Sequence, residues 1–224
     1  MSDEKIELPT EELRTPLNMA VGDSRNYLFN ITSPEQLYDD IARFTLNKNV
    51  PEHIVIQYDT ARNLYLYSFH VYRFYNVAQQ HLFSALELAI KDGIGEDKLK
   101  KFAKSRGARL GLSICMQYLR DKKIISNSDF PRWHNRNRAE AEAAYSHKVI
   151  EQMVEKGLDE YIWNESEIEQ STIESQWDLV DVMCRTMPKI RNEFAHGSTT
   201  LFKDVLVYFD DISIIINKVY AHLN

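Results

Sequence analysis

The stretch Pro51–Gly93, PEHIVIQYDTARNLYLYSFHVYRFYNVAQQHLFSALELAIKDG, decides the fold. Tyr58, Tyr65, Phe69, Tyr72, Leu82, Leu86 and Ile90 recur at spacings built from threes and fours, the period of one helical face. Leu64, Tyr67, Val71, Phe74, Ala78 and Ala85 add a second apolar stripe, and a helix apolar on two sides is contacted from both flanks. The pattern predicts a central helix that, unbroken, would extend about 60 Å at about 1.5 Å per residue. A kink or break near Asp59 is the alternative. Aromatic residues interleaved with Ala and Leu at this period are read as core, with base stacking on the same rings as the competing role.

The remaining chain supports an all-α reading. Seven Gly and six Pro are few for 224 residues, and an apolar content of 44% suffices for one substantial core. Residues 1–32 mix acids, Pro9 and Pro16 without a period and are expected to form an irregular arm; residues 33–224 are expected to form a single helical domain. Ser33-Pro34-Glu35-Gln36 is a helix start with a capping box, and that helix is expected to reach about Leu46. Leu110 to Leu119 predict a helix closing at Asp121, followed by a loop over Ser126–Pro131. Ala139–Lys156 predict another helix, with Gly157 as its stop. Val205–Leu223 read as helix or as a β-rich run, because Ile212, Ile214, Ile215, Ile216 and Val219 are β-branched; the length of the run favours helix.

Cys115 and Cys184 fall among apolar helical residues, outside any Cys-x-x-Cys or Cys/His ligand pattern, and are expected to be reduced core thiols. His134 and His147 lack partners at ligand spacing, so no metal or cofactor is expected, and no glycine-rich phosphate loop is present. No apolar run is long enough to span a bilayer and the polar N-terminus lacks a signal core, which predicts a cytoplasmic protein with no membrane contact.

Charge is segregated along the chain. Residues 98–138 carry 12 Lys/Arg against Asp121 and Asp129, while residues 139–197 carry 13 Asp/Glu against five Lys/Arg; the overall formal charge of −6 conceals this contrast. The basic segment either meets a phosphate backbone or pairs with the acidic segment. Within it, Trp133-His134-Asn135-Arg136-Asn137-Arg138, after Pro131 and Arg132, combines an aromatic, amides and guanidinium groups in an expected loop. Arg132, Trp133, Arg136 and Arg138 are therefore candidate RNA contacts.

Pro188-Lys189-Ile190-Arg191-Asn192-Glu193-Phe194-Ala195-His196-Gly197-Ser198 sets an arginine, an amide and a histidine beside a glycine stop. Arg191 is a permanent cation with a donor fork suited to phosphate, and His196 can change charge near neutral pH. Asn192 and His196 share a helix face, whereas Arg191 lies about 140° from His196 and must reach round the helix.

This Arg-Asn-x-x-x-His run, with the Ala85-Leu86-Glu87-Leu88-Ala89-Ile90-Lys91 element upstream, resembles the Arg-x4-6-His motif and preceding helix of HEPN (higher eukaryotes and prokaryotes nucleotide-binding) domains, over roughly residues 55–222. The resemblance implies a HEPN-like helical bundle and metal-independent RNA cleavage, in which the 2′-hydroxyl attacks the adjacent phosphate to leave a 2′,3′-cyclic end. It implies His196 for proton transfer, Arg191 for phosphoryl charge and Asn192 for positioning. Glu87 is a supporting acid or, equally in keeping with the residues, an exposed helix carboxylate. A homodimer with a composite site is implied, as is a toxin or defence role with an antitoxin or other protein partner. The alternative is a non-catalytic module that binds RNA, a nucleotide or a protein.

Overall fold

The computed structural model describes residues 12–162, 168, 177–195, 200, 201 and 203–222. Among them are eight α-helices, two 3₁₀ turns and no strand. The helices are α1 (Pro34–Ala42), α2 (Glu52–Tyr67), α3 (Phe74–Ile94), α4 (Glu96–Ser105), α5 (Leu112–Asp121), α6 (Pro131–Lys156), α7 (Leu179–Ala195) and α8 (Leu206–Ala221).

The central helix is α3, which packs against α2, α8, α5, α7 and α4. Both of its stripes are buried: Ala78, Leu82, Phe83, Leu86, Ala89 and Ile90 have almost no exposure. The stretch that suggests one rod is two helices, and the break lies at Ser68–Arg73 rather than near Asp59. A helix end leaves carbonyls and N–H groups unpaired, and here the N-terminal arm pairs them. Buried Asn26 donates from its Nδ2 to Ser68 O (3.2 Å) and Phe69 O (3.0 Å), while Asp23 N donates to Phe69 O (2.8 Å). The Asp23 carboxylate accepts from Tyr72 N at 3.2 Å, and the Tyr75 hydroxyl donates to Asn26 Oδ1 at 3.1 Å. Burial opposes the Asp23 charge, but hydrogen bonds from the Arg25 side chain and the Arg25 and Tyr72 backbones overcome it and hold the carboxyl below its ordinary value. Over its described residues, 12–32, the arm has a 3₁₀ turn at Ser24–Phe29 and no α-helix, and these contacts join it to the body.

The capping box at Ser33 forms as expected, with Gln36 Oε1 accepting from Ser33 N at 3.1 Å, but α1 ends at Ala42 rather than near Leu46. The β-branched C-terminal run is helix α8, burying Phe209, Ile212, Ile215, Ile216 and Val219. Gly157 ends α6 in the left-handed region (φ 61°), the conformation for which glycine is suited. The start of α6 is the larger correction: it begins at Pro131, so residues 132–138 are helical and not a loop. Pro131 stands at the first helical position, where its missing N–H costs nothing. No described helix is long and apolar enough to cross a membrane.

Candidate functional site

Helix α7 buries Leu179, Val180, Met183, Cys184 and Met187, which fixes it beside α3 and α5. Its first turn is held by Asn127 Oδ1 accepting from Val180 N at 2.9 Å and by Asp178 Oδ1 accepting from Asp181 N at 2.9 Å. Pro188 lies inside this helix rather than ahead of it, so Arg191 and Asn192 occupy its last turns. Proline has no N–H to offer the carbonyl one turn earlier, leaving the Cys184 C=O without its helical donor.

At this end of α7 the Arg191 guanidinium approaches Glu87 of α3, with Nη2 at 3.7 Å from Oε2. The other Glu87 oxygen receives Lys91 Nζ at 2.5 Å. The Glu87 side chain is only 14% exposed, so it is an inward carboxylate shared by two cations and not a free surface acid. Arg191 retains 39% of its side-chain exposure and Lys91 31%, which leaves donors of both facing solvent. Arg191 Nη1 also donates to Asn192 Oδ1 at 3.4 Å. Two cations around one carboxylate leave a local excess of one positive charge, with a guanidinium fork suited to an anionic oxygen pair.

Of the sequence-selected residues, the structure thus brings together Arg191, Asn192 and Glu87, and it adds Lys91. The signal for Lys91 is present in the chain, since a Glu followed four residues later by Lys on a helix shares one face. His196 lies outside the described residues.

The four expected RNA contacts have other partners. Arg132 Nη2 lies 2.6 Å from Oδ2 of buried Asp211 in α8. Trp133 packs on the core and donates from its indole N–H to Trp177 O at 3.2 Å. Arg136 pairs with Glu140 at 2.8 Å and stacks over the Trp177 ring at 4.6 Å, and Arg138 pairs with Glu142 at 2.8 Å. Arg132 and Trp133 therefore anchor the start of α6. Basic and acidic segments do meet, at these two i,i+4 pairs and at Arg120–Asp181 (2.7 Å).

Both cysteines are free and buried. Burial, more than any neighbouring charge, pushes the Cys115 thiol up to about 12 and the Cys184 thiol up to about 11, which disfavours thiolate chemistry at neutral pH. Comparison with protein-family models, with curated proteins and with solved structures finds no match to this chain.

Proposed function

We propose that the chain is a HEPN-type, metal-independent endoribonuclease whose site is centred on Arg191, Asn192 and His196, with Glu87 in a supporting role. The observation that carries this reading is the juxtaposition of Arg191 on α7 with Glu87 and Lys91 on α3. Three polar side chains from two helices meet at one partly open point, at the end of the helix that leads directly into His196. Arg191 would neutralise charge developing on the phosphoryl oxygens, an effect that matters most where donors are already in place. Glu87 would hold Arg191 in position. His196 would move the proton between the 2′-hydroxyl, the leaving 5′-oxygen and solvent, a role that suits an imidazole side chain. RNA as substrate, a homodimeric composite site and an antitoxin partner belong to the same reading.

The second reading is a non-catalytic module. It is favoured by the same Glu87–Arg191 contact, which also serves as an interhelical tie without any ligand. Incubation of mixed-sequence RNA in EDTA with the protein, and with Arg191→Ala and His196→Ala variants matched for folding, separates the two. Cyclic-phosphate ends produced by the parent and lost in both variants are expected. Absence of cleavage, or equal cleavage by all three proteins, would refute the ribonuclease reading.

A further inference from the structure

The cations of residues 98–138 do not share one fate. Arg132, Arg136 and Arg138 are paired within the fold, whereas Lys104, Lys122 and Lys123 are exposed and make no ion pair among the described residues. These lysines gather at one end of the α4–α5 pair. The Phe102 and Tyr118 rings meet edge-on at 5.2 Å, and one turn further Arg106, just after α4, pairs with Asp121 of α5, so the two helices finish side by side. Arg106 also lies over the Phe102 ring at 4.6 Å. Arg120 extends the group by bridging to Asp181 of α7 at 2.7 Å, and Asp181 in turn holds Arg185 at 2.8 Å. Among the described residues, Lys104, Arg106, Arg120, Lys122, Lys123 and Arg185 thus face three carboxylates: Asp121 and Asp181, already paired, and Asp178, which caps α7.

Cations near helix C-termini complement the dipole, which accounts for some of this charge. It does not account for Lys123. Two residues beyond the end of α4 stands Gly107 with φ 61°, but the equivalent place after α5 holds Lys123 with φ 55°, a left-handed conformation where a lysine is strained and glycine is not. The capping bonds of α5, from Lys123 N to Arg120 O and from Ile124 N to Leu119 O (both 2.9 Å), are backbone bonds that glycine would make equally well. The position thus holds a positive side chain where the backbone geometry favours having none.

We infer that the joined ends of α4 and α5 are the docking surface for the phosphate backbone of single-stranded RNA, leading along α7 to Arg191. From Asp181 to Arg191 is ten residues, about 15 Å of helix, a distance that a few nucleotides span. The inference rests on RNA being the ligand of the Arg191 site, and the test separates the two. Binding of a 2′-O-methyl RNA, which cannot be cleaved through its 2′-position, is measured by fluorescence anisotropy across a salt series. The proteins compared are the parent, a Lys104→Ala/Lys122→Ala/Lys123→Gly variant, and a Lys48→Ala/Lys148→Ala/Lys156→Ala variant that removes equal charge elsewhere. The first variant is expected to bind at least tenfold more weakly at about 100 mM salt, with the slope of log affinity against log salt reduced by about two. The second is expected to stay within twofold of the parent. Lys123→Gly alone is expected to raise the melting temperature while weakening binding, so a loss of affinity in it cannot come from unfolding. Equal binding by the parent and the first variant would overturn the docking surface and leave the RNA reading standing. A parent that retains no RNA at low salt overturns both, and retention of an acidic protein instead would reassign the surface to a protein partner.

Discussion

Asp211 provides a test that reads out in stability. Its side chain is 1% exposed in the middle of α8, and its only ion-pair partner among the described residues is Arg132, 2.6 Å away. Among the described residues neither carboxylate oxygen has a well-directed hydrogen bond, so the contact is close in charge but poorly aligned. Burial outweighs the attraction of Arg132, and neighbouring Asp210 adds repulsion, so the Asp211 carboxyl is pushed up from 3.8 to about 7. The folded protein therefore holds a proton that the unfolded chain has released between about pH 4 and pH 7. Stability should rise as pH falls through 7, and the contribution should be complete below about pH 4. Between pH 8 and pH 5 nearly two pH units lie below the folded midpoint, a gain of roughly 2–3 kcal/mol. Asp211→Asn carries no proton to exchange and should remove that slope. Arg132, still about one third exposed, can then be solvated, so the variant should be at least as stable as the parent at pH 8. Arg132→Met leaves the carboxylate alone, so it should cost about 3–5 kcal/mol at pH 8 and much less at pH 5. Urea denaturation at fixed ionic strength from pH 5 to pH 8 measures all three proteins. Taking the parent-minus-Asn difference removes groups that both share, including Asp210 and Tyr208. Parallel profiles for the parent and Asp211→Asn, or an Asp211 carboxyl carbon that titrates near pH 4 by NMR, would refute this account.

Two further outcomes follow from other contacts. Asn26→Ala strips the side-chain donor from Ser68 O, one of the two donors from Phe69 O and the acceptor from Tyr75, so it should destabilise by about 2–3 kcal/mol in thermal or urea unfolding; a cost near zero would mean that the arm does not cap the α2–α3 break. On the proposed ribonuclease reading, Glu87→Gln releases Lys91 and Arg191 from a shared carboxylate, so uncleavable RNA should bind more tightly while kcat falls at least tenfold. Unchanged binding together with unchanged kcat would remove Glu87 from the site.

How much of this was legible in the sequence depends on how far apart the partners lie. The α1 cap could be read because Ser33 and Gln36 are three residues apart, and the end of α6 because Gly157 carries its own signal. The α2–α3 break could not, since the apolar stripes run straight through it and Asn26 and Asp23, which satisfy its backbone, lie more than 40 residues upstream. The residues after Pro131 resemble a loop by composition, yet Trp133 is held by the Trp177 carbonyl 44 residues away and Arg132 by Asp211 in the last helix. For α8, local β-branching and burial on a helix pointed in opposite directions, and tertiary packing prevailed. The candidate site divides in the same way: Arg191 and Asn192 stand out as a motif, and Lys91 is at helical spacing from Glu87, but only the packing of α7 on α3 brings the two groups together.

That distinction bears on which cations an RNA could recruit. The sequence gives the sign of each charge, whereas the cost of offering it to a phosphate depends on what the cation leaves behind. Moving Arg132 to RNA would strand a carboxylate that is 1% exposed, so it is the least available member of its segment. Arg136 and Arg138 sit in exposed i,i+4 pairs, which are worth only about 0.3–0.5 kcal/mol each, although Arg136 would also give up its contact with the Trp177 ring. Lys122 and Lys123 leave no ion-pair partner among the described residues. Arg191 falls between these cases: its contact with Glu87 is long at 3.7 Å, and Lys91 remains to neutralise the carboxylate when Arg191 turns toward a phosphate. The second cation on Glu87 is therefore what would let the first one act, which makes Lys91 as necessary to the proposed chemistry as the motif arginine beside it.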